Sequence, residues 1–137
     1  MARIKKQAVL FLIPLGIVTC LLIYSWGTFL LTDMIPMWRH YVALGLFAVV
    51  VYLYFTDFKK AAVAASVYLL LATLNALSLT PVIKAYWIKF GNGVSSVKTP
   101  PVSILSLMLL ILFLVLNFDT LSDMYLDYKE AKSKRNN

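Results

Sequence analysis

Long apolar blocks separated by short polar connectors are the dominant pattern of this chain. The first block, residues 8–31, carries no charged side chain. A helix of about 20 apolar residues already crosses a bilayer core. Three more blocks follow at 38–55, 61–79 and 101–117. The connectors 32–37 and 56–60 are short enough that the blocks they join must run antiparallel as neighbours. The pattern predicts an all-α fold: an integral membrane four-helix bundle, one transmembrane domain over residues 1–137, with spans one to three packed in sequence. Pro14 and Gly16 are expected to kink the first span, which a membrane helix tolerates.

Two segments outside the blocks have a pattern of their own. In the long connector 80–100, Thr80 and Pro81 make a helix start, with a capping hydroxyl followed by a residue that needs no N–H. A short interfacial helix is expected over 81–90, ended by Gly91-Asn92-Gly93. Beyond the fourth block an amphipathic helix is expected over 118–134. At about 100° per residue, Asp119, Asp123, Asp127 and Glu130 fall in one sector of about 80°. Phe118, Leu121, Tyr125 and Tyr128 fall on the other side, continuing the heptad of Ile104, Leu107, Ile111 and Leu114.

Composition agrees with a membrane protein. Apolar residues make up 61% of the chain and charged ones 14%, with mean hydropathy +0.82. Soluble domains run at about 45–50% and about 25%. The net charge of +7 is not the footprint of a nucleic-acid binder, because the 13 Lys and Arg residues lie in connectors and tails. They report topology instead. Arg3, Lys5, Lys6, Lys59, Lys60, Lys129, Lys132, Lys134 and Arg135 fall on one side; Arg39, Lys84, Lys89 and Lys98 fall on the other. The positive-inside rule puts the first set, with both termini, in the cytoplasm. Trp26, Trp38 and Trp87 all fall on the opposite side, where they would form one aromatic belt anchored at the interface. The first block is read as a retained span and not a signal peptide, since no small-residue cleavage site interrupts it. A bacterial inner membrane is the expected location.

Candidate chemistry is sparse. The stretches 8–31, 41–55, 61–80 and 101–116 contain no Asp, Glu, Lys, Arg or His. Coupled transport generally needs an ionisable group within the membrane. A single cysteine, Cys20, and a single histidine, His40, leave no dithiol, bis-His or metal-ligand set, so neither cofactor nor metal is expected. Asp33, Arg39 and His40 are read as solvated or headgroup-bound, and the acidic row as a solvated face. Ala61, Ala65, Ala72 and Ala76 form a small-residue stripe on span three, where helix backbones can approach closely, with Asn75 beside it seeking an interhelical partner.

These features point to a non-enzymatic interaction protein: an accessory subunit, immunity protein or regulator of a membrane complex, itself a homo-oligomer or a subunit of a larger one. Phe118, Leu121, Tyr125 and Tyr128 are its expected docking side chains. The alternative is an oligomeric, holin-like pore lined by Thr73, Asn75 and Ser78. A lipid-acting enzyme or carrier ranks third, with no residues to support it.

Overall fold

A computed structural model describes residues 2–81, 89–90, 97–98 and 102–135. The chain is helical: α1 (Ala2–Leu31), α2 (Trp38–Thr56), α3 (Phe58–Thr73), α4 (Ile104–Leu116) and α5 (Phe118–Arg135). The two described pieces of the long connector form a two-residue antiparallel pairing, β1 (Lys89–Phe90) with β2 (Val97–Lys98), in register Lys89 to Lys98 and Phe90 to Val97. By length and apolarity two helices can cross a membrane, α1 from Gln7 and α2, or three if α4 and α5 count as one bent span.

Ring packing fixes how the helices run. At one end Phe11 of α1 stacks on Tyr54 (5.4 Å) and meets Phe58 and Phe113 edge-on (5.4 and 5.6 Å). That joins the start of α1 to the end of α2, the start of α3 and the end of α4. At the other end Trp26 meets Tyr41 at 5.2 Å and Phe29 meets His40 at 4.7 Å. The Ser103 N–H there donates to the Thr73 carbonyl at 3.0 Å. Consecutive helices α1 to α4 therefore alternate in direction. The centre is α3, which packs most extensively on α4 and α2, while the backbone of α1 lies closest to α4 and meets α2 mainly through side chains. Spans one to three are neighbours in sequence, α1 meeting α2 through rings at both ends and α2 packing on α3, with α1 lying along α4 as well. Alanine makes the close approach of α3 possible: Ala61, Ala62, Ala65 and Ala72 are all buried.

Asp57 separates α2 from α3. One carboxylate oxygen accepts from the Lys59 and Lys60 N–H groups at 3.1 and 3.2 Å, capping the new helix.

Two boundaries differ from the sequence pattern. The third block is not one helix over 61–79, because α3 stops at Thr73. Asn75 adopts φ 57. Its N–H bonds the Ala72 carbonyl at 3.1 Å, and that of Ala76 reaches back to Leu71 at 2.9 Å. This pair of bonds around a left-handed residue is the Schellman termination, with Asn in the place usually held by Gly. Ala76 therefore lies past the helix and is exposed, leaving the stripe at Ala72. The chain then runs irregularly through buried Leu77, Ser78 and Leu79.

The second difference is at the end of α4. The heptad does not run straight on, because α5 turns 67° from α4. Asn117 supplies the break: its backbone N–H and its side-chain amide both donate to the Phe113 carbonyl, each at 3.0 Å. A side chain inserted into the helical ladder is an established cause of kinks.

The expected interfacial helix 81–90 falls mostly outside the described residues, as do the 91–93 turn and Trp87. Its last two positions are corrected, since Lys89 and Phe90 are extended and paired.

Candidate functional site

A group of buried and half-buried polar side chains gathers at the His40 end of the described bundle. Arg39 lies on the first turn of α2, and its Nη1 donates to the Asn75 carbonyl at 3.1 Å. The same guanidinium sits 5.8 Å from the Trp38 ring. His40, 2% exposed, has Nε2 at 3.0 Å from the Thr80 carbonyl and Nδ1 at 3.3 Å from that of Met37. Ser78 donates to the Thr80 carbonyl at 3.0 Å, and Ser106 donates to Ser103 at 3.1 Å. Ser103 caps α4 by accepting from the Ser106 N–H. Between them lies a recess of about 10 Å³ lined by Asn75, Ser78, Thr80, Ser103 and Ser106, room for about one water.

The recess has a structural explanation. Ending α3 early leaves carbonyls without helical partners, and in an apolar surrounding each unsatisfied group is costly. Arg39, His40, Ser78 and the Ser103 N–H answer the carbonyls of Asn75, Thr80 and Thr73. The expectation that Arg39 and His40 are solvated or headgroup-bound is corrected, while Asp33 is exposed. Asn75, expected to bond between helices through its side chain, instead contributes its carbonyl.

Side chains elsewhere in the helices are also satisfied locally. Thr19, Ser66 and Thr73 donate to the carbonyls of Leu15, Ala62 and Leu69, each four residues back. Exceptions among the described residues are Ser25 Oγ, Trp26 Nε1, Tyr68 Oη, Asn117 Oδ1 and Thr120 Oγ1, buried without a hydrogen-bond partner. Among the described residues no group of three or more His, Cys, Asp or Glu side chains could hold a metal ion.

At the Phe11 end the bend divides the expected docking set. Leu121 is drawn against the core beside Met124. Phe118, Tyr125 and Tyr128 remain 66–67% exposed. The acidic row lies on another side, and its Asp127 forms an ion pair with Lys59 at the start of α3. The Asp127 carboxylate, hydrogen-bonded to the Lys59 ammonium, holds that amine above its ordinary range. Lys60 reaches the Asp57 carboxylate at 3.1 Å and holds that acid below the usual value. Of the expected interface tryptophans, Trp38 is exposed and Trp26 half-buried against Tyr41.

No family model matches the chain, and neither a curated protein nor a solved structure is similar to it.

Proposed function

We propose that this is a four-span membrane protein, with both termini in the cytoplasm, that acts by assembling with another protein as an accessory subunit, immunity protein or regulator. The bacterial inner membrane is the proposed setting. Four crossings are supported by the alternating directions of α1 to α4, with the buried stretch after Thr73 completing the third. A helix of 16 residues reaches only about 24 Å; irregular backbone at membrane depth is tolerated where protein covers it.

One observation carries the assembly reading. A Cβ added at Gly16 or Gly27 of α1, or at Gly45 of α2, would meet nothing within 4 Å. Glycine in a helix costs about 1 kcal/mol relative to alanine, and in membrane helices it is used where backbones approach closely. Among the described residues none of these three glycines serves such an approach. Gly16 and Gly27 share a face of α1 with exposed Val9, Ile13, Cys20 and Ile23, at the alternating spacing of four and three that suits a partner helix.

Cys20 provides the test, being the chain's only cysteine and exposed. A photoactivatable maleimide on Cys20, irradiated in native membranes, is expected to yield a discrete protein adduct that Gly16→Leu abolishes. Adducts to lipid alone would refute the reading. The runner-up is an oligomeric pore lined by Thr73, Asn75 and Ser78, three residues that are buried within the single chain. A membrane-potential dye separates the two: assembly leaves the potential intact on expression, and a pore collapses it.

A further inference from the structure

We propose that α5 lies along the bilayer surface and seats its exposed aromatic flank, Phe118, Tyr125 and Tyr128, on anionic lipid headgroups through Lys129 and Lys132. The inference rests on the four-span reading, in which α4 crosses the membrane, and not on the partner proposed for α1 and α2.

Geometry comes first. The 67° turn at Asn117 sends α5 away from the axis of apolar α4, so if α4 stands across the membrane α5 runs nearly in its plane. Rotation of α5 about its own axis is set by three contacts. Leu121 and Met124 pack on the core, Thr120 is 6% exposed, and Asp127 is tied to Lys59. With that rotation fixed, one sector of about 100° holds Tyr128, Leu121, Lys132, Tyr125, Phe118 and Lys129 in order around the helix; Leu121 packs on the core and the other five are exposed. The acidic row falls outside it.

The chemistry then selects the occupant. Two tyrosines and a phenylalanine interleaved with lysines on one flank match the headgroup boundary of a bilayer. A protein groove would need to bury two lysine ammonium groups beside the rings, which is costly without matching acids. An anionic headgroup layer supplies the counter-charge with no burial. Each lysine near an anionic surface contributes about 1 kcal/mol, so two correspond to a preference for anionic over neutral lipid on the order of 10-fold or more.

The test uses the full chain in nanodiscs of phosphatidylcholine alone or of an equimolar mixture with phosphatidylglycerol. On a Cys20→Ala background, spin labels are placed by Tyr125→Cys on the flank and by Glu130→Cys on the acidic sector. Collision with a water-soluble paramagnetic reagent is then measured. The label at 125 is expected to be shielded several-fold on anionic discs, to regain access at high salt, and to lose the dependence on phosphatidylglycerol in the Lys129→Glu, Lys132→Glu double variant. The label at 130 should stay accessible throughout. Equal access at both positions on anionic discs overturns the proposal. So does shielding that follows protein concentration and ignores lipid charge, which would make a second copy the occupant. Shielding that arises only when another protein is added overturns it in favour of a protein partner.

Discussion

The guanidinium of Arg39 donates to the backbone carbonyl of Asn75 at 3.1 Å, across 36 residues of sequence, tying the start of α2 to the end of α3. The bond explains how an apolar block can stop being helical inside a bundle. Asn75 turns the chain through the left-handed region, and the carbonyl it frees is met by a permanently charged donor from the neighbouring helix.

Because Asn75 accepts through its backbone, its side chain matters mainly for φ. Asn75→Gly is expected to leave thermal stability in detergent unchanged or slightly raised. Asn75→Ala should lose about 1 kcal/mol, the cost of a left-handed conformation for an ordinary residue. Arg39→Met should also destabilise, and Arg39→Lys less so, since a lysine stem can still deliver a donor. A Tm for Asn75→Ala equal to that of the parent would show that the turn is not held left-handed.

The end of α3 makes a second, sharper contrast. Ala65 and Ala72 are 3% and 0% exposed, whereas Ala76 lies past the helix and is exposed. Ala65→Leu or Ala72→Leu overpacks the approach of α3 to its neighbours and should cost about 1–3 kcal/mol. Ala76→Leu should be close to neutral. Equal losses at all three positions would mean that the stripe continues as a helix through 76.

How legible was this in the residues themselves? The first two spans could be read because long charge-free runs have few alternatives in structure. The packing centre was readable from Ala61, Ala65 and Ala72, since small residues on one face have one main use in membranes. The stop at Thr73 was hidden because Leu74, Ala76, Leu77 and Leu79 remain apolar, so the hydropathy pattern ran on past the helix. Only Asn75, a residue favoured at that cap, marked the place. The bend at Asn117 was hidden by the opposite effect. A heptad computed for a straight helix continued smoothly through it, although the local bonding of Asn broke the axis. The docking set inherited that error, and Leu121 went to the core. The carbonyl-binding roles of Arg39 and His40 depend on contacts between segments 36 and 40 residues apart, which no local pattern reports.

Asp57 gives a pH-dependent test. Its carboxyl is held below the ordinary value of 3.8, first by the hydrogen bond from the Lys60 side chain and then by the Lys60 N–H. A depressed folded value means the contribution is complete above the unfolded value and is lost as pH falls through the folded one. Stability of the α2–α3 junction should therefore be flat near neutrality and decline only below the ordinary carboxylate range. Asp57→Asn keeps the cap and should remove the part of the acid decline due to this group. Asp57→Ala, which removes the cap, should lower stability at neutral pH as well. Unfolding followed by circular dichroism across acid pH checks both, and an Asn variant with the parent's full acid decline would disprove the assignment.

Removing the bend is the most direct test of how α5 is positioned. Asn117 is 1% exposed and donates its side-chain amide to the Phe113 carbonyl, while its Oδ1 is buried without a partner. Asn117→Leu removes both the competing donor and the unsatisfied acceptor, so stability should change little while the angle between α4 and α5 opens toward a straight helix. Straightening carries Asp127 away from Lys59 and lifts Phe118, Tyr125 and Tyr128 from the plane normal to α4. Distances between spin labels at Val63→Cys, on an exposed position of α3, and Lys132→Cys on a Cys20→Ala background, in the presence and absence of Asn117→Leu, read the change directly. The expected result is a longer and broader distribution in the leucine variant. An unchanged distance would mean that the α3–α5 contacts, and not Asn117, impose the turn; Asp127→Asn on the same labels would then lengthen it.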